Sequence, residues 1–168
     1  IEKVFVHFFA DGRDVAEKSA EKFVKQIEEK IFCTGVGKIA SVCGRFYAMD
    51  RDNRWHREHK AYDVMVNCKG FHYSCAEEAL KAAYKRAEKD EFVKPSIVAG
   101  KQCVVRENDS VIFFNFRSDR ARQITKAFVQ EEFKTVKTTS GSVVPTFERG
   151  QKIKNLFFAT LTEYERSL

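Results

Sequence analysis

An α/β fold, a layered sandwich with a mostly parallel sheet flanked by helices, is predicted by three features of the sequence. Continuous apolar runs of strand length alternate with stretches of helical periodicity. Each apolar run is succeeded at once by a polar turn, as in folds whose strands all point one way. The chain has 168 residues, 43% of them hydrophobic, which is enough for one well-formed core and too little for two. We therefore read residues 1–168 as one domain.

Residues 4–10 (VFVHFFA) are nearly all apolar and rich in aromatic and β-branched side chains, the pattern of a strand buried on both faces. Ala20, Phe23, Val24, Ile27 and Ile31 then recur at spacings of three and four, giving an amphipathic helix with Ser19 as its expected N-cap and Gly35 and Gly37 at its end. A second strand is predicted over 38–43 (KIASVC), and Trp55, His59, Tyr62 and Val66 mark the stripe of a second helix. Ala76, Ala79, Leu80 and Ala83 predict a third helix starting near Ser74. Residues 111–116 (VIFFNF) form another buried-strand run feeding a helix that reaches about Ala127, and 156–161 (LFFATL) supply the last strand. Between them, 135–150 is rich in Thr, Ser and Gly and contains Pro145, so a surface connection with little regular structure is expected. No internal repeat is present.

Composition excludes several functional classes. No apolar run approaches the roughly 20 residues of a membrane-spanning helix. The five cysteines, Cys33, Cys43, Cys68, Cys75 and Cys103, are scattered and never spaced as CxxC, which argues against a zinc ribbon or a disulfide framework and for a reducing cytoplasm. The formal charge of +6 comes from basic residues interleaved with acidic ones, so it makes no nucleic-acid stripe. Asp50, Asp52 and Asn53 resemble part of a calcium loop but lack its glycine, and His56 and His59 have no third ligand at a supporting spacing. No metal site is expected in the chain. Phe5, Phe8, Phe9, Phe113, Phe114 and Phe116 are expected in the core, and Ser19, Ser74 and Ser118 as helix caps. The chain opens at Ile1 directly in a strand pattern and so reads as a fragment or processed piece.

The turns at the ends of the strands carry the chemistry. After the first strand come Asp11, Gly12, Arg13 and Asp14; after the second, Gly44, Arg45 and then Asp50, Arg51 and Asp52; after VIFFNF, Arg117, Ser118, Asp119 and Arg120. In parallel α/β sheets such turns converge on one edge, where ligands bind. Arginine suits an anion pocket because its planar fork bonds two phosphate or carboxylate oxygens and stays charged at physiological pH. The competing reading of any one turn is a structural ion pair between Arg and Asp. Asp14 would repel an anion unless it bonded a hydroxyl, which makes it the candidate proton acceptor and the ligand a phosphorylated hydroxy acid or sugar phosphate.

These residues resemble a known family. VHFFADGRD, GKIASVCGRFYAMDRDNRWHR, DEFVKPSIV and DSVIFFNFRSDRARQIT are similar to successive motifs of the cofactor-independent phosphoglycerate mutases, from Val4 to about Thr125, with a weaker echo at LTEYE. The resemblance implies the inserted, substrate-binding (transferase) domain of a glycolytic and gluconeogenic cytoplasmic isomerase that interconverts 3-phosphoglycerate and 2-phosphoglycerate. By position in the motifs, Arg13, Asp14, Arg45, Arg51, Arg117 and Arg120 are implied to contact substrate, with Asp14 as the catalytic candidate. A phosphoserine intermediate and a pair of divalent cations, manganese or magnesium, are implied for a phosphatase-like domain absent from this sequence; no cofactor is implied in the chain itself. The expected arrangement is a monomer in which this segment packs against that domain of the same parent chain, and the segment alone is expected to be inactive.

The family's prolines after DGRD and in NFRPDR are replaced here by Val15–Ala16–Glu17 and Ser118, so loop rigidity is expected to differ. The resemblance also implies a strand–helix unit before Ile1, which would leave one sheet edge without its neighbour. The alternative from another class is a nonenzymatic anion or nucleic-acid binding module, marked by steep salt dependence.

Overall fold

The computed structural model describes residues 1–138 and 140–166. Strand β1 (Phe5–Ala10) pairs in parallel with β2 (Lys38–Gly44), the register slipping once between Val6 and His7. The 15-residue helix α1 (Ala20–Thr34) connects them and stops at Gly35, whose φ of 69° lets its amide return to the Ile31 and Phe32 carbonyls. A short helix α2 (Arg45–Ala48) continues directly from β2. Helix α3 (Trp55–Tyr62) widens into a π turn over Asp63–Asn67. Strand β3 (Phe71–His72), helix α4 (Ala76–Lys85) and strand β4 (Ser96–Ile97) complete the first sheet.

That sheet has the order β1-β2-β4-β3, with β1–β2 and β3–β4 parallel and β2–β4 antiparallel. The α/β class holds, with parallel pairing in part. Strand β5 (Ser110–Phe113) leads into helix α5 (Ser118–Val129) and pairs in parallel with β8 (Phe157–Thr160), but as a separate ribbon. Residues 135–150, expected to be irregular, instead contain an antiparallel pair, β6 (Thr135–Lys137) and β7 (Val143–Pro145).

Adjacent residues of a strand face opposite ways, and the core divides accordingly. On one side Phe8 and Val42 join Val24 of α1 and Ala76, Leu80 and Ala83 of α4, whose small side chains allow close packing. On the other, Phe9 and Cys43 join Trp55 and Tyr62 of α3 and Ile124, Ala127 and Phe128 of α5. Leu80, with no exposed surface, contributes about 2 kcal/mol by burial alone.

Two sets of expectations are corrected. Phe114 and Phe116 are 81% and 73% exposed, because β5 ends at Phe113 and the chain turns out toward the arginines. Ser19 does not cap α1 with its side chain: its hydroxyl bonds the Ala16 carbonyl, while buried Asp90 accepts the Ser19 and Ala20 amides at 2.7 and 2.8 Å. Cys75, not Ser74, is the cap residue of α4, and Ser74 binds the Glu78 carboxylate instead. Ser118 is the first residue of α5 and Arg117 its cap position.

Candidate functional site

The parallel register sets Ala10 beside Gly44, so the turn after β1 and the start of α2 leave the sheet side by side. Two glycines make this possible. Gly12 takes φ 68°, and Gly44 lies so close to the chain at Glu91 that a Cβ there would fall 2.2 Å from the Glu91 carbonyl oxygen. Asp11 folds its own turn by accepting the Arg13 and Asp14 amides at 3.2 and 3.4 Å. Arg45, largely buried, reaches across to bond the carboxylates of Asp11 and Asp14, the latter at 2.8 Å. Burial opposes the Arg45 charge, but bonds from Asp14 and Asp11 hold its pKa above the usual value. Arg13 lies outside this knot, 3.6 Å from Glu91.

The other half of the edge is built from the turn after α2 and the N-terminus of α5. Asp119, in the first turn of α5, meets Arg51 at 3.0 Å and Arg117 at 3.3 Å. Burial raises the Asp119 pKa, yet the Arg51 hydrogen bond and the Arg117 charge bring it below the ordinary carboxylate value. Arg120 donates to the Met49 carbonyl at 3.0 Å. Its pKa is lowered by burial and then by the positive charges of Arg45, Arg51 and Arg13, while Asp14 feels Arg45, Arg117 and Arg13. The three turns therefore come within electrostatic reach of one another, but not as ends of neighbouring strands in one parallel sheet, because β5 belongs to a separate ribbon with β8.

The cluster is an open surface: Arg13, Arg51 and Arg117 each keep about half or more of their side chain exposed. Two concavities of about 490 and 500 Å³ lie elsewhere, one along Arg106, Glu107 and Lys152, the other between β1 and α1, sharing only Asp11 with the site. Such a surface suits a small dianion, with spare guanidinium hydrogens on Arg13, Arg51 and Arg117. The Arg45 hydrogen bond, reinforced by the Arg45 charge, depresses the Asp14 pKa. Held this way, Asp14 accepts a hydrogen bond from a hydroxyl more readily than it stores a proton.

The anions that organise these arginines, Asp11, Glu91 and Asp119, are not among the residues singled out from the sequence as site residues. Asp11 and Asp119 are signalled there by their place within the arginine turns; Glu91 is remote in sequence and carries no such signal. Divalent cations do not fit this cluster, because its free groups are guanidiniums and its carboxylates already pair with arginine. Among the described residues no group of three His, Cys, Asp or Glu side chains is placed to hold a metal. His59 stacks on Phe147 at 4.5 Å, a packing role. No helix among the described residues is long and apolar enough to cross a membrane.

Comparison with known proteins places the chain in a family. Residues 1–166 match the family model described as BPG-independent PGAM N-terminus (iPGM_N). The chain is 48% identical over 170 residues to a 2,3-bisphosphoglycerate-independent phosphoglycerate mutase of Acetivibrio thermocellus, covering 99% of this chain and 31% of that protein. It is 44% identical over 164 residues to the enzyme of the same name from Staphylococcus haemolyticus, covering 98% of this chain and 30% of that protein. Its fold superposes on Leishmania mexicana phosphoglycerate mutase, crystallised at low cobalt concentration, with a TM-score of 0.83 and 26% identity over 99% of this chain and 30% of that one. The chain thus spans about a third of the length of these relatives, and it belongs to the BPG-independent phosphoglycerate mutase N-terminus family.

Proposed function

We propose that this chain is the substrate-binding part of a cytoplasmic isomerase that interconverts 3-phosphoglycerate and 2-phosphoglycerate. The observation that carries the reading is that Arg45, Arg117 and Arg13 all act on Asp14, while Arg120 feels the charges of Arg45, Arg51 and Arg13, so that the five arginines form one open cluster. The substrate carries a phosphate and a carboxylate on three carbons, so its recognition needs several guanidinium forks within a few ångströms. The backbone amides at the start of the 12-residue α5 face the same edge and add a favourable dipole for an anion.

In this scheme the phosphoryl group passes to a serine on a segment outside this chain, and divalent cations there, manganese or magnesium, supply the charge stabilisation for that transfer. The part played by this chain is retention. Its exposed arginines hold the glycerate while it is dephosphorylated, and their loose pairing with Asp119 and Glu91 lets them exchange a protein carboxylate for a substrate oxygen. Asp14, fixed by Arg45, accepts a hydrogen bond from the glycerate hydroxyl and orients it. The chain works as a monomer packed against the phosphatase-like domain of its parent, and alone it turns over no substrate.

Calorimetric titration of the chain with 3-phosphoglycerate, inorganic phosphate and a short single-stranded oligonucleotide tests this. Saturable binding with phosphoglycerate preferred over both supports the reading. Tighter oligonucleotide binding with a steep salt slope replaces it with a nucleic-acid module.

A further inference from the structure

We infer that Gln123 is a positioning residue that locks the Arg51 turn to the helix bearing Arg117 and Arg120; its effect on ligand binding rests on the function proposed above, its geometry does not. Gln123 lies in α5 and is buried. Both ends of its carboxamide go to the same turn: Oε1 accepts from the Asn53 amide at 2.7 Å, and Nε2 donates to Asp50 Oδ2 at 3.2 Å. One group must therefore accept and donate within one residue's reach, which a primary amide does and neither carboxylate nor hydrocarbon does.

The turn it grips is held by several further hydrogen bonds. Asp50, itself buried, accepts the Asp52 and Arg54 amides at 2.9 Å each on the same Oδ2, and its own amide donates to the buried Glu58 carboxyl at 2.8 Å. Asn53 adopts φ 59°, the left-handed conformation that aims its amide at α5. Arg120 adds a third tie through the Met49 carbonyl. Arg51 sits in the middle of these anchors, and its guanidinium meets Asp119, the partner that Arg117 also uses. The position of the turn along α5 thus sets the separation of Arg51 from Arg117. A displacement of the turn along α5 would mis-set the spacing of groups that grip one ligand.

The test uses the isotope-labelled chain with Gln123→Met, which keeps volume and removes both bonds, and Ile124→Val as a neighbouring core control. Gln123→Met is expected to speed Asn53 amide exchange about tenfold relative to global unfolding and to weaken 3-phosphoglycerate binding on the order of tenfold. Ile124→Val is expected to lower stability while leaving both unchanged. Unaltered Asn53 exchange in Gln123→Met, or unaltered affinity in a chain whose parent binds, overturns the inference. A parent chain that binds no phosphoglycerate sinks the proposed function instead, and the Asn53 exchange rate still decides whether Gln123 holds the turn.

Discussion

The Arg45 side chain is 8% exposed and its Nη1 is gripped by both Asp11 and Asp14, whereas Arg117, on the same edge, is 66% exposed and shares Asp119 with Arg51. Both come after an apolar strand and both stand in motifs of the same kind. The difference is in what their loss would do. Arg45 is part of the fold, placed by β2 and the close approach at Gly44; the Arg117 side chain meets Asp119 in an ion pair worth a few tenths of a kcal/mol. Under the proposed function, the fixed corner is the one that would orient the ligand hydroxyl through Asp14, and the exposed corner the one that would meet the phosphate.

The contrast between the two corners is lost most completely at Gly44. Gly44→Ala forces a Cβ against the Glu91 backbone and is expected to destabilise the chain by about 3 kcal/mol or more, read as a lower urea midpoint. Arg45→Ala removes a largely buried side chain and leaves the partly exposed Asp11 and Asp14 without their shared partner; it is expected to cost about 1–2 kcal/mol of stability as well as affinity, read by the same unfolding curve and by titration. Arg117→Ala should separate the two effects: stability within about 0.5 kcal/mol of the parent, and 3-phosphoglycerate affinity down on the order of a hundredfold by calorimetry.

The fixed corner also rests on an acid-sensitive strand. Burial lowers His7 of β1 from 6.5 to about 4, with its Nδ1 2.8 Å from Ser41 Oγ. Because the folded value lies below the unfolded one, the unfolded chain takes up the proton first. The stability His7 confers is complete above pH 6.5 and is lost as pH falls from there toward 4, a fall of about 3 kcal/mol that His7→Gln should flatten in unfolding curves. The smallest effect is expected at Asp119→Asn, which frees Arg51 and Arg117 from their shared carboxylate and should tighten phosphoglycerate binding about threefold.

Much of this is legible in the chain. Strands β1 and β2 and helices α1, α4 and α5 emerge from local periodicity, and the arginine turns from their position after strands. The hidden features depend on residues far apart in sequence. Asp90 caps α1 across 71 positions, which no N-cap rule applied at Ser19 can see. The two-residue strands β3 and β4 are too short for any periodicity, and β5 finds its partner in β8, 47 residues on. Phe114 and Phe116 share the composition of core residues, and only the end of β5 at Phe113 exposes them. The ion partners Asp11, Glu91 and Asp119 decide which arginines are fixed and which are free; Asp11 and Asp119 stand in the arginine turns, but which arginine each one meets, and the part of the remote Glu91, emerge in three dimensions.

Amide NMR of the chain titrated with 3-phosphoglycerate asks whether the three arginine turns form one phosphoglycerate site. Saturable shifts concentrated in residues 11–14, 44–54 and 117–120, larger than those caused by inorganic phosphate, are expected if they do. Shifts scattered over the basic surface, or confined to a single turn with the other two silent, would contradict a shared site.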